Sequence, residues 1–164
     1  QVPDVRLLVA GDGPMRPALE QQVERLHLQD RVRLLGHVPR DQMALYMKAA
    51  DYFALYSGYE GLSHVLLESL RAGTPVIASD LPSLRETGQG IPLFLTPGSD
   101  DCWHDAIAAF SGPFSDRERQ VRMISRFTPP TWQEHFARVE PWLGQLPTPF
   151  PVPSEVDQLQ CLRA

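Results

Sequence analysis

The sequence predicts an α/β domain whose parallel sheet is flanked by helices, with a helical segment toward its C-terminal end. Three observations predict it. Five short β-branched and aliphatic runs recur between residues 5 and 95, helix-compatible stretches separate them, and beyond Leu95 the pattern becomes helical. Strands that alternate with helices form βαβ units, whose right-handed crossovers run the strands parallel and gather ligands at the strands' carboxyl ends. The loops that follow strands are therefore the places to search for a site.

Taken in order, the strand-like runs are Val5–Ala10, Val32–Leu35, Tyr52–Tyr56, Pro75–Ser79 and Ile91–Leu95. Between the first two, Leu19, Val23 and Leu26 recur at helical spacing; between the next two, Met43, Tyr46, Met47 and Ala50 do the same. Trp103, Ile107 and Phe110 share a helical face farther on, and Trp132, Phe136 and Val139 share another. The simplest reading of such stripes is helix faces packed on the sheet. Ser115 with Glu118, and Thr131 with Glu134, have the spacing of capping boxes. Pro141 is expected to end the last helix, because its ring removes a donor and crowds the preceding turn. The prolines at 147, 149, 151 and 153 then break regular structure, so residues 1–146 read as one domain and residues 147–164 as a Pro-rich extended tail.

Composition excludes several function classes. A net charge of -5 and a pI near 5.5 leave no cationic field to hold a phosphate polymer, so nucleic acid is not an expected partner. Cys102 and Cys161 have neither metal-ligand spacing nor the density of a disulfide framework, which fits a reduced cytoplasmic compartment. No apolar run approaches the roughly 20 residues that cross a bilayer, so no transmembrane segment is expected. The first residues lack a signal peptide's basic and apolar regions and enter a strand-like run at once, which reads as an excised piece.

The chemistry concentrates after the third run, in Ser57-Gly58-Tyr59-Glu60-Gly61-Leu62-Ser63-His64-Val65-Leu66-Leu67-Glu68-Ser69-Leu70. With Ser63 near the helix N-cap, the amides of His64, Val65 and Leu66 are expected to point outward at the positive end of the helix dipole, where phosphate oxygens are favoured. Glu60 stands ahead of the helix and Glu68 in its second turn. Carboxylates accept hydrogen bonds well from sugar and ribose hydroxyls, so the two acids bracket a place for a sugar nucleotide.

Glu60 and Glu68, seven residues between them, resemble the E-x7-E motif of the retaining glycosyltransferases called family 4, or group 1, which have the GT-B fold. Leu8-Val9-Ala10-Gly11-Asp12-Gly13-Pro14, Val32 to Val38, Ala49-Ala50-Asp51 and Ala72 to Asp80 look like that family's successive landmarks. The likeness covers about residues 4 to 96 closely and fades toward 140. It implies the Rossmann-like, donor-binding C-terminal half of a GT-B protein, with its first strand–helix unit and the acceptor-binding N-terminal domain missing. Glu60 would be the catalytic residue, binding hydroxyls of the transferred sugar, and Gly61, Leu62, Ser63, His64 and Val65 would face sugar and diphosphate. Glu68 would hold the ribose. The backbone of Gly36, His37 and Val38 would meet the base, and Gly11 and Gly13 would let the first loop approach the ligand. No cofactor is implied beyond the nucleoside diphosphate sugar itself, which is the substrate, and no metal. A cytoplasmic protein is expected, peripheral to a membrane only through the missing domain. The fragment alone is expected to bind donor weakly and to transfer nothing.

The sequence also departs from the family. The Arg and Lys that neutralise the diphosphate fall in the missing unit, and Leu81-Pro82-Ser83-Leu84-Arg85-Glu86 stands where the family often has paired glycines. Pro82 lacks an amide, which argues against a backbone contact from that loop. Arg85 and Glu86 read as a surface pair, and Ser63 reads as a helix cap.

Rival readings are a non-catalytic sugar-nucleotide or protein-binding module and a GT-B epimerase. A hydrolase elbow is disfavoured by Val65, a dinucleotide fingerprint by Arg16 in place of the third glycine, and a phosphorylase by Lys48, on a presumed helix, being the only lysine.

Overall fold

A computed structural model describes residues 5–110 and 116–146 of the 164. Five parallel strands alternate with helices: β1 Leu7–Ala10, α1 Arg16–Arg25, β2 Val32–Gly36, α2 Arg40–Ala49, β3 Phe53–Leu55, α3 His64–Ala72, β4 Val76–Ser79, α4 Pro82–Gly88 and β5 Leu93–Leu95. Helices α5 Asp100–Phe110, α6 Asp116–Ile124 and α7 Trp132–Leu143 follow. All five strand-like runs become strands, four of them shortened by a residue or two where the chain bends into a loop and the second extended by Gly36.

Hydrogen bonding divides the strands into two parallel ladders, β1-β2 and β3-β4-β5, where the sequence suggested one sheet. Local hydrophobic pattern specifies that a strand forms and which way it faces, not its neighbour, and β1 and β3 each keep an edge without a ladder partner among the described residues.

The core is built around β4, all four residues of which are buried. Val76 and Ala78 turn to one face, against Leu66 and Leu70 of α3, Leu84 of α4 and Ile91. Ile77 turns to the other, against Trp103, Ala106 and Phe110 of α5. This period of two on a strand covered on both faces is what a continuous apolar run predicts. Leu66 and Leu70, one turn apart, are fully buried, and each contributes roughly 2 kcal/mol by leaving water. Gly73, left-handed at φ 88, ends α3.

The start of β4 is fixed from below. Gln120 of α6 is fully buried, accepts from Val76 N over 2.7 Å and donates to Val76 O over 2.9 Å. Asp116 accepts from Gln120 at 3.1 Å and from Arg119 at 2.5 and 2.9 Å; those bonds, Arg119's first, hold its carboxyl below the usual carboxylate range against the opposing effect of burial.

Helical stripes fared unequally. The Trp103–Phe110 face is buried, but α1 buries none of its residues, and Leu19 and Leu26 are exposed. On α2 Met47 is buried while Tyr46 is exposed. Spacing reports which residues share a face; whether a neighbour covers it depends on the tertiary partners present.

The chain divides after Phe127. In the second unit, α7 begins with the expected capping box: Glu134 N donates to Thr131 Oγ1 at 3.2 Å and Thr131 N to Glu134 Oε2 at 2.9 Å, which lowers the Glu134 pKa. Contrary to expectation its stripe is not buried, Trp132 being 73% exposed, and the rings contact one another instead, Trp132 stacking on Phe136 at 5.9 Å. Pro141 does not end α7, which continues to Leu143. So near a helix end proline forfeits one hydrogen bond while its fixed φ still suits the helix. Ser115 and the tail 147–164 lie outside the described residues.

Candidate functional site

Beyond Leu55 the chain enters a loop that leads to α3, and side-chain hydrogen bonds fasten it to neighbouring elements. Ser57 N donates to Ser79 Oγ, on the last residue of β4, over 2.9 Å. Ser83 Oγ, in the first turn of α4, donates to the Glu60 carbonyl over 2.7 Å. Ser57 Oγ donates to Glu60 Oε1 at 2.9 Å. The half-buried Glu60 thus has one carboxylate oxygen held and keeps Oε2 without a partner among the described residues.

Ser63 is the N-cap of α3, at φ -81 and ψ 96, but its side chain makes no capping bond. Its hydroxyl is buried and has no hydrogen-bond partner among the described residues, an arrangement that costs about 1–3 kcal/mol. The expectation of a side-chain cap is therefore corrected: the residue holds the cap position while its oxygen faces inward. The first backbone bond of the helix runs from Leu67 N to Ser63 O at 3.3 Å. The N–H groups of His64, Val65 and Leu66 have no acceptor among the described residues and stand at the positive end of the dipole. His64 and Val65 are exposed, as are Gly61 and Leu62, whereas Leu66 is fully buried, backbone included, so the expectation that its amide also points outward is corrected: the side chain that anchors the turn in the core takes the amide out of reach.

Glu68 lies one turn farther along and is half-buried. Arg40, at the start of α2, donates to its Oε1 from Nη2 at 2.7 Å and from Nε at 3.1 Å. The Arg40 side chain is 86% exposed, so the pair joins two helices at the surface and leaves Oε2 of Glu68 without a partner among the described residues.

Both glycine loops of the β1-β2 ladder lie at its carboxyl edge. Gly11 N donates to Gly36 O at 2.8 Å, and the two residues have φ of 127 and 68, which L side chains rarely adopt. A Cβ on Gly36 would stand 2.9 Å from Nη1 of Arg16. Arg16 itself donates to Leu34 O at 3.3 Å and pairs with Glu20 at 2.8 Å, fixing α1 to β2. Gly13 N bonds to Asp12 Oδ1 at 2.8 Å and has open space around it. His37, exposed, and Val38, half-buried, follow Gly36 toward α2 and Arg40.

At the end of β4, Arg85 pairs with Asp80 rather than with Glu86, and its guanidinium lies 4.9 Å from the centre of the Phe94 ring. That hydrogen-bonded guanidinium holds the Asp80 carboxyl below the ordinary range. Pro82 occupies the start of α4, consistent with its missing amide.

The structure thus joins Glu60 to Ser57 and Ser83, and Ser57 in turn to Ser79; it joins Glu68 to Arg40 and Gly11 to Gly36. Sequence reasoning missed Ser57, Ser79, Ser83 and Arg40. No local signal marks the last three, whose partners lie 22, 23 and 28 residues away.

Comparison with known proteins decides the family. The pattern described as Glycosyl transferases group 1 matches residues 1–125. The chain belongs to the group 1 glycosyltransferases. Among relatives of this group 1 chain, the α-monoglucosyldiacylglycerol synthase of Streptococcus pneumoniae is 46% identical over 80 residues, 49% of this chain and 18% of the relative. The 2-deoxystreptamine N-acetyl-D-glucosaminyltransferase of Streptomyces fradiae is 32% identical over 129 residues, 77% of this chain and 30% of the relative. The group 1 chain therefore spans less than a third of either. Among solved structures, the sucrose-phosphate synthase of Thermosynechococcus elongatus superposes with a TM-score of 0.65 at 23% identity, over 88% of this chain and 39% of its own. The Anabaena protein HepE in complex with UDP-glucose does so at 0.61 and 22%, over 88% and 42%. These likenesses show the fold, that of GT-B glycosyltransferases.

Proposed function

We propose that this chain is the donor-binding half of a retaining glycosyltransferase, which moves a sugar from a nucleoside diphosphate to an acceptor hydroxyl. The observation that carries the reading is the start of α3: the amides of the exposed residues His64 and Val65, without acceptors among the described residues, preceded by Glu60 and followed one turn on by Glu68, each with a carboxylate oxygen to spare. Retention is what the resemblance to the E-x7-E family implies.

In this reading the diphosphate lies against the amides of His64 and Val65, with Gly61, Leu62 and Ser63 alongside. Departure of the nucleoside diphosphate builds negative charge on its oxygens, and preoriented amides stabilise that charge without reorganising. Glu60 Oε2 accepts from hydroxyls of the transferred sugar and Glu68 Oε2 from the ribose. Gly36, His37 and Val38 meet the base, and Gly11 and Gly13 close the first loop over the ligand. The UDP-glucose complex of HepE, a structural neighbour, supports a sugar nucleotide as partner.

The rest of the machinery lies in the remainder of the polypeptide. In a doubly wound sheet a strand preceding β1 lies between β1 and β3, where each now has an unpaired edge; this supports an upstream strand–helix unit that brings an Arg and a Lys to the diphosphate. An acceptor-binding domain completes the cleft, and any membrane association belongs to it. No described helix is long and apolar enough to cross a membrane.

The test is Glu60→Ala in the complete polypeptide. Transfer should fall by at least about 100-fold, the scale of a lost transition-state contact, while free nucleoside diphosphate binds nearly as before. Undiminished transfer overturns the reading.

A further inference from the structure

Glu60 sits on a loop that hydrophobic packing does not hold. Gly58 and Gly61 flank it, Tyr59 is 88% exposed, and Leu62 is exposed as well. Something else must fix the carboxylate, since a reacting geometry tolerates little displacement. We propose that Ser83 is a positioning residue for Glu60: its hydroxyl pins the Glu60 peptide to α4 while Ser57 pins the carboxylate and Ser79 pins Ser57 to β4. The proposal rests on the reading of Glu60 as the group that grips the transferred sugar.

Three features argue for it. The anchor points are rigid, Ser79 being fully buried at the end of β4 and Ser83 standing between Pro82, whose φ is fixed, and the fully buried Leu84. The bonds address different parts of one residue: Ser83 Oγ holds the Glu60 carbonyl at 2.7 Å, and Ser57 Oγ holds Oε1 at 2.9 Å, so backbone and side chain are both fixed. Ser83 is also used unexpectedly. A serine in the first turn of a helix usually bonds within its own turn, but this one reaches a carbonyl 23 residues earlier in the chain. The segment Leu81 to Glu86, whose proline removes a backbone donor, supplies this side-chain donor to the loop instead.

The experiment uses the complete polypeptide and measures donor KM and kcat for Ser83→Ala, Ser83→Thr, Glu60→Gln and the double variant Ser83→Ala/Glu60→Gln, with melting temperatures alongside. Ser83→Ala should lower kcat roughly 10- to 100-fold, with donor KM within about threefold and little change in melting temperature. Ser83→Thr, which keeps the hydroxyl, should recover most of the loss. In the Glu60→Gln background Ser83→Ala should cost less than about twofold, because it acts through the group already altered. Ser57→Ala, from the other side of the clamp, should show the same split, and serves alone if Ser83→Ala does not fold. If Glu60→Gln cripples transfer while Ser83→Ala and Ser57→Ala do not, or if the losses multiply, the clamp is wrong and the reading of Glu60 stands. If Glu60→Gln transfers normally, that reading fails and the clamp falls with it.

Discussion

Replacing Gln120 by leucine removes the one side chain that satisfies both backbone groups of Val76. Val76 and Gln120 are fully buried, so water cannot replace either bond, made at 2.7 and 2.9 Å. Val76 O keeps its place in the β4-β5 ladder, so the orphaned N–H costs about 1–3 kcal/mol and the lost bond to the carbonyl about 1 kcal/mol more, or roughly 2–4 kcal/mol together. The apolar leucine in place of an amide returns about 1–2 kcal/mol. A net loss of about 2 kcal/mol remains, and with a urea slope of about 1–3 kcal/mol/M the unfolding midpoint should fall by roughly 0.7–2 M. Equilibrium unfolding in urea, followed by circular dichroism, measures it. Gln120→Glu, which loses the donor and adds charge beside Asp116, should be no better. A leucine variant whose midpoint moves by less than about 0.3 M would refute the reasoning, since it would mean that β4 does not depend on α6 for the satisfaction of its first residue.

Other outcomes follow from the same geometry. The Asp116 carboxyl has its pKa lowered in the folded protein by Arg119 and Gln120, so the folded state binds fewer protons; that stability is present above the unfolded value near ~3.9 and is lost as pH falls through the lower folded value. Urea midpoints measured between about pH 6 and 3 should show this loss, and Asp116→Asn should flatten it. Arg40→Ala should change stability by less than about 1 kcal/mol, because the pair is exposed. The same variant should raise donor KM by roughly threefold or more if Arg40 orients Glu68 for the ribose, a shift that steady-state kinetics of the complete polypeptide would detect. Leu66→Ala should cost about 2–5 kcal/mol in a urea titration, since its fully buried side chain seats the first turn of α3 in the core.

Much of the strand–helix order was legible because the relevant signals are local. β-branched runs gave all five strands, and Trp103, Ile107 and Phe110 gave the face of α5 that the core covers. Ser63 was placed at the N-cap of α3 from the residues around it. What local pattern does not carry is partnership. The division into two ladders depends on which strands meet, the exposure of Leu19 and Leu26 depends on what covers α1, and the persistence of α7 through Pro141 depends on how few residues follow it. In the site, Glu60 and Glu68 were found from their spacing, whereas Ser79, Ser83 and Arg40 were not, because each meets its partner across more than twenty residues of chain. The inward-facing hydroxyl of Ser63 likewise lies beyond sequence, since a serine at that position normally caps.

The central claim is that the amides opening α3 receive the diphosphate, and hydrogen exchange tests it most directly. With the complete polypeptide, saturating nucleoside diphosphate should slow exchange at His64 and Val65 by about tenfold or more, as expected for amides that gain an acceptor. Protection confined to other segments, with those two amides exchanging as fast as before, would contradict it.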